Sequence, residues 1–149
     1  MEQIFTKHIN ELFKKLIDTY GFKRKTDLNE NESYMILFAS EKIAIRIEKY
    51  FRELYTSLYK VDEPDFEVNL FNLLDYLIQD DEKVPQGEYF HREKDLEECY
   101  KKQLTYVSSV IDENYDLISD FFNADKYELR TAEFEKYWRN KHPEFYGKV

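Results

Sequence analysis

Three histidines, one cysteine and thirty-one carboxylates are the groups in this chain that could move protons, attack an electrophile or hold a metal. Cys99 would act as a nucleophile only where a positive environment lowers its pKa. Its neighbours Glu97 and Glu98 oppose that, and it falls on the apolar stripe of a helix, so it reads as a buried structural thiol. His8 lies between Phe5 and Leu12 at the border of another apolar stripe and reads as a boundary histidine with a local hydrogen bond. His91 stands among Glu88, Glu93 and Asp95, residue types that ligate metals. In so acidic a segment, however, carboxylates fall beside any histidine by chance. His142 has no partner near it in sequence. A single cysteine excludes an internal disulfide and a multi-cysteine zinc site. The chain has no Gly-rich phosphate loop, dinucleotide fingerprint or serine elbow. Asp80-Asp81-Glu82 lacks the spacing of a calcium loop. The expectation is a protein that is no enzyme and holds no cofactor or metal.

The distribution of charge is more informative. The net charge is −9, and residues 60–98 hold thirteen acids against four bases, which accounts for all of it. A basic stripe for phosphate contacts is therefore not expected, and neither is a nucleic-acid partner. A basic protein is the partner that such a segment would attract. The candidate docking charges are Asp62, Glu63 and Asp65 in one cluster and Asp80, Asp81 and Glu82 in another, with Tyr55 and Tyr59 as anchors. The two clusters flank one apolar helix in sequence, which would bring them out on one side. The plainer reading is a solvated surface that keeps the protein soluble.

Several elements must position these residues. Ile4, Phe5, Ile9, Leu12, Phe13, Leu16, Ile17 and Tyr20 recur at helical spacing, which predicts a helix over Glu2 to Tyr20 ended by Gly21. Phe22 to Thr26 reads as a short strand, Asp27 to Glu32 as a polar connection and Ser33 to Ser40 as a strand. The stretch from Ile43 to Tyr59 fits two periods. Ile43, Ile45 and Ile47 alternate as on a strand, whereas Ile43, Ile47, Tyr50, Phe51, Leu54 and Leu58 also keep helical spacing. The branched residues favour a hairpin, yet Lys49-Tyr50-Phe51-Arg52 would have to turn without Gly, Asn or Pro. Val61 to Glu67 reads as an acidic loop holding Pro64. Leu70 to Ile78 reads as a short buried helix that Asn69 could cap, and Asp80 to Phe90 as a loop. From about Arg92 the pattern Leu96, Cys99, Tyr100, Leu104, Val107, Val110, Ile111, Leu117, Ile118 and Phe121 predicts a long helix, with a break near Asn114 as the alternative. Thr131 to Asn140 reads as a last helix with Phe134, Tyr137 and Trp138 inward.

With 149 residues, 42% hydrophobic and 17% aromatic, the chain can bury the core of one domain, residues 1–149. Three Gly and three Pro are too few for a sandwich of many short strands. No apolar run approaches the roughly 20 residues that span a bilayer. The start lacks the basic head and apolar run of a signal peptide. A soluble, cytoplasmic protein with no membrane partner is expected.

The order of these features resembles a loosely defined bacterial group of small helix–meander–helix proteins, some of them proposed immunity proteins of polymorphic toxin systems. Tyr20-Gly21-Phe22, Arg52-Glu53-Leu54, the Leu-rich stretch Leu70 to Leu77 and Asn123-Ala124-Asp125 occupy the places of the group's short words. The glycine that commonly relaxes the turn after the second strand is missing here. The resemblance implies the hairpin over the helix, and binding to a protein rather than catalysis. It carries over no site residues.

The expected fold is α+β. An N-terminal helix packs on an antiparallel meander of three to four strands, followed by a short buried helix, a long C-terminal helix and a further short helix. The expected function is a small protein-binding module, an immunity protein that occludes a basic toxin domain through its acidic face. The alternative is a structural or regulatory homo-oligomer, a homodimer for example, in which the stripe from Leu96 to Phe121 continues onto a second copy.

Overall fold

The computed structural model describes residues 4–25 and 34–145. Among them six α-helices and five strands form an α+β fold in which helices cover one face of an antiparallel sheet of order β1-β2-β3-β4-β5. The strands are β1 (Lys23–Lys25), β2 (Met35–Ala39), β3 (Ile43–Tyr50), β4 (Glu53–Lys60) and β5 (Glu63–Asn69). The helices are α1 (Ile9–Leu12), α2 (Lys14–Tyr20), α3 (Leu70–Ile78), α4 (Leu96–Glu113), α5 (Tyr115–Phe121) and α6 (Tyr127–Lys141).

The N-terminal stripe is helical, but in pieces: a 3-10 turn at Ile4–Thr6, then α1 and α2 joined at Phe13. Phe13 is fully buried and its ring stacks on Phe38 of β2 at 5.2 Å. Gly21 ends α2 with φ +76, a left-handed conformation that costs glycine nothing. The polar connection expected at Asp27 to Glu32 lies outside the described residues.

The strand period wins from Ile43 to Lys60. Ile45 pairs with Leu58 and Ile47 with Thr56, all buried under the helices, while Arg46 pairs with Ser57 and Glu48 with Tyr55 on the other face. Period-2 burial of branched residues outweighs the coincident helical spacing because both strands gain a partner. The turn is two residues, Phe51 and Arg52, between the paired Tyr50 and Glu53. Phe51 takes φ +57 in place of the missing glycine.

One expectation is corrected. Val61 to Glu67 is largely strand rather than loop: β5 pairs with β4, which raises the meander from the expected three or four strands to five. Its register slips between Tyr59 and Lys60, so that Glu67 faces Tyr59 and Glu63 faces Lys60. Pro64, Asp65 and Phe66 therefore bulge out of the ladder. An edge strand tolerates a proline and charges that a central strand would not.

Helix α3 matches its expected bounds. Asn69 caps it by accepting the backbone N–H groups of Phe71 and Asn72 at 2.9 and 3.2 Å. The long helix breaks at Asn114, whose side-chain amide donates to Val110 O at 2.9 Å. Most of its apolar stripe belongs to the chain's own core: Cys99, Tyr100, Leu104, Val107, Val110, Ile111, Ile118 and Phe121 are buried, whereas Leu96 and Leu117, expected on the same stripe, are exposed. Helix α6 begins earlier than expected, at Tyr127. Phe134 packs edge-to-face on Phe66, Tyr76 and Phe121 at 6.2, 5.7 and 6.4 Å, which ties α6 to β5, α3 and α5.

Candidate functional site

The two acidic clusters lie against opposite ends of α6. Asp62 lies in the two-residue β4–β5 turn, Glu63 opens β5 and Asp65 sits in the bulge. Together with Tyr127 and Glu128 at the start of α6 they line a cleft of about 440 Å³. At the other end Lys141 Nζ meets both carboxylate oxygens of Asp75 at 2.8 Å and Asp81 at 3.2 Å. Asp80 accepts the Glu82 backbone N–H at 3.0 Å and lies 3.9 Å from Lys83. From Tyr127 to Lys141 the helix of 15 residues rises about 21 Å at ~1.5 Å per step, which sets the clusters that far apart along it.

Part of this charge is matched internally. Lys60, only 8% exposed, reaches Asp62 at 2.5 Å and Glu63 at 3.5 Å. Its hydrogen bond to Asp62 raises the lysine pKa and lowers that of Asp62. The bond to Asp75 likewise raises Lys141. Asp65 and Glu128 join no ion pair among the described residues.

Tyr55 and Tyr59 share the sheet face away from the helices, four residues apart on β4 and so separated by about 13 Å. Tyr55 donates its hydroxyl to Glu53, which pushes its pKa up to about 12. The same carboxylate meets His91 Nε2 at 2.6 Å, and the Tyr55 and His91 contacts hold Glu53 below its ordinary range. His91 thus leaves its acidic sequence neighbours for Glu53 and stacks on Tyr89 at 5.7 Å. Among the described residues no group of three potential metal ligands converges. Cys99 is buried, with Sγ 3.4 Å from Tyr89 O, and His8 meets Glu97 at 3.1 Å.

The β3–β4 turn is a feature that the sequence reading passed over. Tyr50 is 63% exposed and Phe51 76%, and their rings meet edge-to-face at 4.7 Å. Tyr34, 59% exposed, lies against Lys49 of β3: its carbonyl accepts the Lys49 N–H at 2.7 Å and Lys49 Nζ lies 5.7 Å from the centre of its ring. Beneath these side chains the backbone is clamped. Tyr100 donates to Phe51 O at 2.9 Å, buried Gln103 donates to Arg52 O at 2.7 Å and accepts Leu54 N–H at 2.9 Å, and Arg52 donates to Glu93 O. Tyr50, Phe51, Arg52, Glu53 and His91 line a shallow pocket of about 280 Å³. The signal for this site was present in the sequence: an aromatic pair at the centre of a turn that carries no turn-forming residue.

The arrangement has features that suit binding. Exposed rings on a fixed backbone give contact area at small ordering cost, and unmatched carboxylates attract cations. No family model, curated protein or solved structure matches the chain. No described helix is long and apolar enough to cross a membrane.

Proposed function

We propose that the chain is a protein-binding module whose partner is a basic protein, and that it acts as an immunity protein does, by occluding a toxin domain. The observation that carries this reading is the Tyr50–Phe51 pair: two exposed aromatic rings on a turn held by Tyr100, Gln103 and Arg52. A bulky residue at positive φ with its ring in solvent is costly to the free protein. Protein interfaces place their strongest contacts on such pre-positioned aromatic anchors. The basic character of the partner follows from the net charge of −9, all of it accounted for by residues 60–98. Asp62, Glu63, Asp65, Asp80, Asp81 and Glu82 would steer it, with the half-buried Tyr55 and Tyr59 on the sheet face away from the helices as further contacts.

The test is capture from lysate of the native cells with the tagged chain as bait, at low and at high salt. A basic protein retained at low salt, weakened by salt and lost with the Tyr50→Ala/Phe51→Ala bait is the expected result. Recovery of only the chain's own copies, unchanged by those substitutions, overturns the reading.

A further inference from the structure

We infer that the sheet face away from the helices is covered by the same face of a second copy, in a two-fold dimer whose axis runs along β3. This goes beyond the reading of a basic partner and does not depend on it. The first observation is β2. Its sequence, MILFA, is apolar at every position, although the helices cover only one side of it. Ile36 and Phe38 are buried under the helices, which puts Met35, Leu37 and Ala39 on the other face. Arg46 lies on Met35, with Nε 2.9 Å from Sδ, whereas Leu37 and Ala39 are only half-buried. An antiparallel sheet with one face in water alternates apolar and polar residues, and a strand apolar on both sides is the mark of one covered on both.

The second observation is the order of charge across that face. Paired residues share a face, so the register reads as rows across the sheet. One row runs Lys23, Ala39, Ala44, Tyr59 and Glu67 from β1 to β5, and the next runs Lys25, Leu37, Arg46, Ser57 and Asn69. The β1 edge is therefore basic. Lys23 and Lys25 are exposed and join no ion pair among the described residues. The β5 edge carries the exposed Glu67, 3.3 Å from Arg46. Two unmatched lysines oppose a basic partner on this face, whereas a face basic at one edge and acidic at the other complements itself.

A half-turn about an axis along β3 keeps each row in place and lays β1 of one copy over β5 of the other. Lys23 then meets Glu67, and the Tyr59 ring meets the small Ala39, once on each side of the axis. On the axis Arg46 and Glu48, 3.2 Å apart within each copy, alternate and cancel. An axis across the strands would instead set the two β1 edges, and their lysines, against each other. Sheets stacked face to face keep their strands within about 30° of one another, as this pairing does. The dimer withdraws Tyr59 from a basic partner and leaves both Tyr50–Phe51 turns at one end.

The test is sedimentation velocity of the full chain over a range of concentrations, with Lys23→Glu and Glu67→Lys. The native chain is expected to be a dimer. Each variant alone sets like charges together twice and is expected to dissociate at least tenfold more readily, with its circular dichroism unchanged. Mixed, the two variants are expected to form a dimer as tight as the native one, because both contacts across the axis are then of opposite charge. Lys136→Glu, an exposed change on α6, is expected to leave the dimer as it is. A native chain that stays monomeric up to its solubility limit, variants as dimeric as the native chain, or a mixture that fails to pair overturns the inference.

Discussion

The side-chain carbonyl of Gln103 accepts the backbone N–H of Leu54 at 2.9 Å, across 49 residues of sequence and inside the core. The same amide donates to Arg52 O at 2.7 Å, so one buried side chain on α4 satisfies two backbone groups where the chain leaves the exposed turn. Gln103→Leu would leave both unpaired. An unsatisfied buried group costs roughly 1–3 kcal/mol, and a loss of about 3 kcal/mol of stability is expected for the pair. Urea unfolding of the variant measures it. A change under about 0.5 kcal/mol, the scale of an ordinary surface substitution, would mean that the clamp is not tight.

Phe51 holds φ +57 with its ring in solvent. Little core is lost on truncation, so the backbone decides the outcome. Glycine adopts this conformation without strain and alanine does not, and Phe51→Gly is expected to be more stable than Phe51→Ala by about 1 kcal/mol. The order reverses if the turn adopts an ordinary negative φ in solution. Both variants should lose partner binding, which separates the ring's role from the backbone's.

The aromatic junction under α6 is structural. Phe134, 8% exposed, touches Phe66, Tyr76 and Phe121 and stacks on Trp138 at 6.3 Å. Phe134→Ala is expected to cost about 3–5 kcal/mol and to increase hydrogen exchange along α6 and β5 together. Exchange that rises in α6 alone would show that Phe66 does not couple the two.

Four tyrosines are pushed up to about 12: Tyr20 by its hydrogen bond to Asp112, Tyr55 by Glu53, Tyr76 by burial and Glu133, and Tyr127 by burial. Each folded pKa lies above the ordinary value of 10, so the folded state binds the proton more tightly than the unfolded one. The resulting stability is fully present below pH 10 and is lost as pH rises through about 12. Absorbance titration of phenolate should show a group of tyrosines ionising late, together with unfolding, and Tyr20→Phe should shrink it. Ionisation of all thirteen tyrosines near pH 10 without unfolding would contradict these contacts.

Much of the fold was legible. Leu70 to Ile78 announced itself by an apolar run with Asn69 before it, and the structure places the helix on those residues with that cap. Alternation at Ile43, Ile45 and Ile47 was legible too, because branched residues on one buried face leave few other solutions. Strand β5 was not. Glu63, Pro64, Asp65 and Glu67 have the composition of a loop, and only pairing with β4 on one side makes them a strand. The acidic excess was visible, whereas its division between the two ends of α6 depends on Lys60 and Lys141, whose partners no spacing rule connects. The exposed turn was hidden for the opposite reason. Tyr50 and Phe51 look like core residues until the register puts them at the tip.

The central claim is that the exposed aromatic pair is the anchor for a protein. Its most direct test is calorimetric titration of the captured basic partner with the native chain and with Tyr50→Ala/Phe51→Ala. An anchor pair of this kind is worth at least about 2 kcal/mol, so the account predicts an affinity loss of roughly thirtyfold or more with the fold intact by circular dichroism. Equal affinity for the two chains would contradict it.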